Sequence, residues 1–289
     1  MTENKTVREM IDEAIREMID EAIGLYDKGE WNAALELLEI TFQSRYVNNK
    51  EAAEIHMLAA WNHWKRGKKD LAASVWATTT QIAGADNITI ASSHAGLGIY
   101  YAEKGDKEKA LHHAKLAQEL LPPNVTMNHA MNLNACAISL AKIGELDRAE
   151  EVLRKVAQIN EQLEKSDDPV VAKKAKHQRA KNGYNLASLV YIPQEKYREA
   201  IVELDVEVIP RYKIVNAETD IAAAYHRIAE AYEKMAETGN AEKLCLTLAL
   251  DYENASLTFW QKHPDDPKRI ETAEKNILRI KEKIAKLEH

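Results

Sequence analysis

The residues best suited to chemistry are scattered and match no catalytic pattern. Ten histidines are spread over the 289 residues. His112 and His113 are adjacent, so on a helix they point to different faces. His56 and His63 lie seven apart, near two helical turns, and can share a face. A metal pair is the sharper reading of these two; packing or exposure to solvent is the preferred one. Cys136 and Cys245 stand 109 positions apart in Ala- and Leu-rich surroundings. That is the setting of buried reduced thiols and fits a cytosolic chain. The sequence holds no Gly-x-x-x-x-Gly-Lys-Ser/Thr, Gly-x-Gly-x-x-Gly, Gly-x-Ser-x-Gly, His-Glu-x-x-His or Cys-x-x-Cys. No enzymatic activity, metal or cofactor is therefore expected. The longest basic cluster runs from Lys173 to Lys181. It reads first as a solvated helix face and second as a partner-binding stripe.

Composition says what must carry these side chains. There are 42 Ala against 10 Gly and 7 Pro, so turn-formers are few and small helix-formers many. Close-packed helices follow. At 45% hydrophobic the chain can bury a core, so global disorder is not expected. No apolar run is long enough to span a bilayer, and no membrane partner is expected. The 39 basic and 46 acidic residues leave a net charge of −7. This argues against nucleic acid, whose phosphates require a clustered basic face. The first residues, Met1 to Lys5, show no apolar signal segment. The Asn-x-Ser/Thr matches at Asn87, Asn124 and Asn254 thus carry little meaning for glycosylation. Leu287-Glu288-His289 looks like the start of a purification tag and is set apart from the fold.

The small residues have a period. Ala34, Ala72, Ala110, Ala149 and Ala200 each follow a turn dipeptide by about five positions: Gly29-Glu30, Gly67-Lys68, Gly105-Asp106, Gly144-Glu145 and Glu195-Lys196. Their spacings are 38, 38, 39 and 51. Seven residues before each turn stands another small residue: Ala22, Ala60, Gly98, Ala137 or Ser188. Small residues at both places let two antiparallel helices approach closely, with larger neighbours filling the grooves between hairpins. The 51-residue spacing holds an insertion, residues 161–169. Its Ser166-Asp167-Asp168-Pro169 is a helix-start signal, repeated at Pro264-Asp265-Asp266-Pro267. The latter opens a last helix to Lys286, with Ile270, Ile277, Ile280 and Ile284 as its apolar stripe. Ala200 to Ile209 alternates and is β-branched, which favours a strand; the repeat register favours a helix and is followed. Arg8–Ile15 recurs unchanged as Arg16–Ile23. Eight residues rotate a helix by about 80° beyond two turns, so the copies face differently. The duplication is read as an extension of the first helix.

The third unit, Ala91 to Pro122, resembles the tetratricopeptide repeat (TPR): Leu97, Gly98, Tyr101, Gly105, Asp106, Ala110, Ala117 and Pro122 fall where that pattern places them. The first unit (Ala22, Leu25, Gly29, Ala34, Leu38) and the fourth (Ala137, Leu140, Gly144, Ala149, Leu153) match well. The second is looser, with Trp61, Trp64 and Trp76 as bulky fillers. The fifth keeps Tyr184, Ser188, Tyr191, Ala200 and Leu204 but lacks the turn Gly. The sixth, near Gly239-Asn240, is degenerate. The resemblance covers residues 10–262. The family repeat is about 34 residues, and these units are longer by about one helical turn, in the helices or in the linkers. The implied fold is all-α: a right-handed αα-superhelix of about six hairpins plus a capping helix. It is read as one domain over 1–286, with repeats near 8–46, 50–84, 88–122, 126–164, 169–212 and 214–262 and a cap at 266–286.

In the TPR family the first helices line a concave groove, with side chains two, five and nine positions into each helix facing inward. That register implies Glu54, Met57 and Trp61; Ser92, Ala95 and Ile99; Met131, Asn134 and Ile138; Asn182, Asn185 and Leu189; and His226, Ala229 and Glu233. The candidate partner-binding residues are Asn134, Asn182, Asn185, Met57, Trp61, Met131, Ile138, Leu189 and His226. An Asn amide both donates and accepts, so it can pair with a peptide backbone whatever the peptide's side chains. Hydration or bonding to neighbouring helices is weighed slightly ahead of this for the three Asn, and core packing is the preferred role of Trp61. The Lys/Asn clamp with which some TPR co-chaperones hold a terminal carboxylate falls here on Ile19 and Ile23 and is absent. The long repeats also resemble Gram-positive peptide-sensing regulators, without room before residue 10 for their effector domain. The expectation is a non-enzymatic cytosolic scaffold that binds a protein or extended peptide. Self-assembly, as a homo-dimer, and an unrecognised enzyme on a helical scaffold are the alternatives.

Overall fold

The structure is a computed structural model that describes residues 6–122, 125–239, 241–263 and 266–288. Readings placed on Met1–Lys5, Asn124, Asn240, Pro264, Asp265 and His289 lie outside the described residues. The chain divides into two compact units, Met1–Asn124 and Val125–His289. In the first, α1 (Val7–Asp27) pairs with α2 (Trp31–Phe42), α3 (Asn49–Lys65) with α4 (Lys69–Thr79), and α5 (Asn87–Glu103) with α6 (Lys107–Leu120). In the second, α7 (Met127–Lys142) pairs with α8 (Leu146–Leu163). Next, α9 (Pro169–Leu186) runs on through a π-helical stretch, Ala187–Tyr191. It pairs with a continuous rod made of α10 (Tyr197–Val202), π-helical Glu203–Val208 and α11 (Ile209–Val215). Then α12 (Glu218–Glu237) pairs with α13 (Glu242–Gln261), and α14 (Pro267–Lys286) closes the chain. The described residues contain no strand.

Each of the first five hairpins turns through the same backbone device. Gly29, Gly67, Gly105 and Gly144 are left-handed, with φ of 81°, 76°, 77° and 89°. At the first turn the Gly29 N–H donates to Tyr26 O at 3.0 Å and the Glu30 N–H to Leu25 O at 3.0 Å. This crossed pair satisfies two carbonyls that the helix end would otherwise orphan. The fifth hairpin makes it without glycine. Glu195 takes φ 60°, with Glu195 N–H to Ile192 O at 3.0 Å and Lys196 N–H to Tyr191 O at 2.9 Å. A Cβ in this region costs about 1–2 kcal/mol, so the packing around it holds a strained residue in place.

The paired small residues are buried as the period requires. Ala34, Ala60, Ala72, Ala110, Ala137, Ala149 and Ala200 are fully inaccessible, and Ala22 nearly so. In the second and third hairpins a further close approach sits at Gly96, which the repeat pattern does not mark. A Cβ there would fall inside the Trp76 indole, and Trp76 is itself fully buried. The last helix of the insertion reading starts where expected: Asp168 caps α9 through Val170 N–H and Val171 N–H, with Pro169 in the first turn. Ala200 to Ile209 is helical; its β-branched Val202 and Val206 point to solvent, so the alternation has no sheet partner to serve. In α1, Ile15 and Ile19 are buried while Ile11 and Ile23 pack from the edges. Arg8 pairs with Asp12 at 2.9 Å, whereas its duplicate Arg16 reaches Glu54 of α3 at 2.6 Å. The basic cluster of α9 is less solvated than its charge suggests. Lys174, Lys176, His177, Arg179 and Lys181 are half-buried, His177 meets Asp220 at 3.0 Å and Arg179 meets Glu164 at 3.4 Å.

Two substitutions check this packing by thermal melts followed by circular dichroism. Glu195→Gly removes the left-handed strain and should stabilise the protein by about 1 kcal/mol, raising the melting midpoint by about 2 °C. An unchanged or lower midpoint would mean that Glu195 is not strained. Gly96→Ala should destabilise by about 1–3 kcal/mol, because the fully buried Trp76 has no room to give way. A wild-type midpoint in that variant would contradict the contact.

Candidate functional site

In the second unit, α7 and α9 lie side by side as first helices of consecutive hairpins. The spacing of Met131, Asn134 and Ile138 by three and four residues puts them on one face of α7. Met131 is 38% exposed, while Asn134 and Ile138 are half-buried. From α9, the Asn185 Nδ2 donates to Asn134 Oδ1 at 3.1 Å, and Leu189 follows one turn on, half-buried in the π-helical stretch. The amide–amide bond uses one donor of Asn185 and one acceptor site of Asn134. The Asn134 amide nitrogen and the Asn185 amide oxygen have no other partner among the described residues. The pair therefore presents a donor and an acceptor side by side, flanked by apolar surface.

Asn182 departs from the inward register. It is only 2% exposed, and its Nδ2 donates to Leu153 O of α8 at 2.9 Å. One helical turn before Asn185, it points into the packing between α8 and α9 rather than beside Asn134. Its amide nitrogen ties α9 to α8, so Asn182 packs between the helices and does not stand open beside Asn134.

The first-unit candidates are tied into packing. Trp61 stands edge-on to Trp76 with ring centroids 4.8 Å apart, and its Nε1 donates to Ser92 Oγ at 3.1 Å. Glu54 is held in a two-pronged pair by Arg16, at 3.0 and 2.6 Å. Met57 is half-buried. Ser92, Ala95 and Ile99 are all buried, so the register gives no open lining on α5. The scattered histidines also find packing roles. His56 stacks near Phe42 at 4.8 Å. His113 Nδ1 lies 3.0 Å from His94 Nδ1, and its ring lies parallel to Tyr101. Burial, with His94 beside it, pushes the His113 pKa down to about 4. Its neutral ring can then share one proton with His94. Both cysteines are buried, and burial pushes the Cys136 thiol up to about 12, far from a reactive thiolate.

His226, Ala229 and Glu233 of α12 line a polar cavity of about 320 Å³ with α13 and α14. The His226 Nδ1 is 3.0 Å from Glu253 Oε2, and Asn276 Nδ2 donates to Glu253 Oε1 at 3.0 Å. Glu233 receives Lys283 Nζ at 2.7 Å and the Arg279 guanidinium. Both carboxylates are buried, Glu253 at 1% exposure, and each has the charged or polar partners that buried carboxylates require. His226 is thus occupied by an interior bond, and α14 supplies the side chains that fill this end of the α12 face. Glu253, Asn276 and Arg279 were not anticipated. One signal was available: Glu253 falls in the stripe Leu246, Ala249, Glu253, Ser256, Trp260, whose other members are apolar or small and buried. Among the described residues no three His, Cys, Asp or Glu side chains converge on a point that a metal could occupy.

No protein-family model matches the sequence. No curated protein is similar to it at a significant level. Solved structures do resemble it. BtubC (BKLC) from P. vanneervenii is similar over 87% of this chain and 92% of its own, at 16% identity and a TM-score of 0.52. A signal-transduction ATPase with numerous domains and a tetratricopeptide repeat sensor, from Pyrococcus horikoshii, is similar over 94% of this chain. It matches over 43% of its own length, at 13% identity and a TM-score of 0.56. A Rap protein complexed with Competence and Sporulation Factor is similar over 95% of this chain and 99% of its own, at 12% identity and a TM-score of 0.50. At these identities the likeness is one of fold. Hairpins closed by left-handed turns, crossings at paired small residues and these neighbours together show an all-α helical-repeat fold like that of TPR proteins.

Proposed function

We propose that the protein is a non-enzymatic scaffold that captures an extended segment of a partner protein or peptide on the α7/α9 face. The observation that carries this is the Asn134–Asn185 amide pair. It leaves the Asn134 amide nitrogen and the Asn185 amide oxygen open between the apolar flanks of Met131, Ile138 and Leu189. An extended backbone offers the complementary acceptor and donor at each residue. Amide pairing therefore holds a main chain without reading its side chains, while the apolar flanks add sequence preference. Each such hydrogen bond contributes about 0.5–1.5 kcal/mol net. The flanks must then supply the rest of a useful affinity through burial of apolar area. The similar fold of a Rap protein complexed with Competence and Sporulation Factor supports reading this architecture as one that receives a partner. Two buried thiols, Cys136 and Cys245, suit a reducing compartment such as the cytosol.

The test uses peptides selected on the wild-type protein from a random displayed library. The double variant Asn134→Ala, Asn185→Ala should keep the wild-type helix content and melt within about 2 °C of it, since both amides are partly solvated. It should bind the selected peptides about tenfold more weakly or worse, measured by fluorescence anisotropy. Met131→Ala should weaken them by several-fold. Equal affinity for wild type and double variant would place the binding surface elsewhere.

A further inference from the structure

On the neighbouring face of α9 lies a second cleft, lined by Asn182 and not by Asn134 or Asn185. It opens between α8, α9 and the rod of α10 and α11, and holds about 460 Å³. Three features mark it as built. First, α9 carries Gly183 at its floor. A Cβ there would collide with the Glu203 Oε1 and with Val208, so the glycine is what admits the Glu203 carboxylate to the helix surface. Second, Asn182 lines the cleft. Its Nδ2 is spent on Leu153 O, but its buried Oδ1 has no hydrogen-bond partner. An almost fully buried acceptor left unpaired costs about 1–3 kcal/mol. Third, the charged lining balances: Arg154, Arg179 and Arg211 against Glu161, Glu203 and Glu207.

Most of those charges have partners already. Arg154 holds Glu150 at 2.7 Å and the Tyr191 hydroxyl at 3.0 Å. Arg211 holds Glu207 at 2.6 Å. Arg179 is held loosely, by Glu164 at 3.4 Å and Glu161 at 3.9 Å. Glu203 has no hydrogen-bond or ion-pair partner among the described residues. Burial, with Glu207 nearby, holds its carboxyl above the usual carboxylate range, against the pull of Arg211, Arg154 and Arg179. The unspent capacity is therefore two acceptors, Glu203 and Asn182 Oδ1, together with the loosely held guanidinium of Arg179. A simple anion would meet the Glu203 carboxylate, and a simple cation the three arginines. A molecule carrying both charges meets neither penalty.

We propose that this cleft binds a small zwitterion of the free α-amino-acid type. Its ammonium sits on the Glu203 carboxylate and Asn182 Oδ1, and its carboxylate on Arg179. Its side chain lies along Ala157, Leu186 and Val208. The cleft volume falls within the range of small-molecule sites, and charge-assisted hydrogen bonds at both ends of the ligand give the orientation.

The experiment is a thermal-shift screen of the full chain against the individual free amino acids, followed by calorimetric titration of those that stabilise it. At least one amino acid should raise the melting midpoint, as ligand binding to the native state alone requires. The amine and the carboxylic acid that each lack one of its two charged groups should not. Glu203→Gln and Arg179→Gln, each first shown to be helical and cooperatively folded, should weaken the titrated affinity about tenfold or more. If Glu203→Gln fails to fold, Arg179→Gln and Ala157→Trp, which fills the cleft from α8, carry the same expectation. The proposal is overturned if no amino acid shifts the midpoint, if the bare amine or acid binds as well as the amino acid, or if the folded variants bind as tightly as wild type.

Discussion

Everything in this molecule depends on how closely two antiparallel helices can approach where they cross. In every one of the first five hairpins the two small residues stand 12 positions apart: Ala22 and Ala34, Ala60 and Ala72, Gly98 and Ala110, Ala137 and Ala149, Ser188 and Ala200. The constancy has a mechanical origin. A short turn with one left-handed residue reverses the chain at a set angle, so the crossing falls at a set distance on either side of it. Where the crossing falls, a side chain larger than that of Ala or Ser would push the backbones apart and open the groove that the flanking residues must fill. The Ala excess and the turn geometry are two halves of one constraint.

That constraint explains why Glu195 is tolerated. The fifth turn keeps both of its crossed hydrogen bonds because Ser188 and Ala200 are already pinned at their crossing. The backbone is driven into the left-handed region by packing on either side, and the residue type at the turn becomes secondary. The same reasoning applies at Gly96. The Trp76 ring needs a flat, Cβ-free patch on the next helix. It finds one at the position adjacent in space to the indole, not at the repeat's own small position, Gly98.

The hairpins and their crossings were legible in the sequence because they are local: a turn, a fixed offset and a small residue suffice. The starts of the first helices were less so. A groove register that counts Glu54 and Ser92 as second positions begins those helices at 53 and 91, yet α3 begins at Asn49 and α5 at Asn87. The extra length of the repeats is in large part this added N-terminal turn, capped by Asn48 and Asp86 side chains. The caps were readable; the pull of the shorter family pattern obscured them. Asn182 could not be placed from its own helix. Its burial is set by the Leu153 carbonyl on α8, and its environment by a Gly183 that draws in Glu203 from a rod about twenty residues further on. No local periodicity records which of two asparagines three residues apart faces a neighbour's backbone.

Polar residues that interrupt the apolar faces here fall into two kinds, separated by what remains after the fold has used them. Glu233 is paired by Arg279 and Lys283, and Glu253 by His226 and Asn276. Their charge is matched by these partners, which fix α14 against α12 and α13. Asn185 and Asn134 spend one donor and one acceptor on each other, and Asn182 spends only its nitrogen. A fold that needed these amides for stability alone would be as well served by apolar residues of similar volume, because a half-satisfied amide costs more than it contributes. Their unspent groups gather at two places, the Asn134–Asn185 face and the cleft at Gly183, on neighbouring faces of one helix. Both are places where a molecule bringing its own donors or acceptors would complete hydrogen bonds that the chain by itself leaves open.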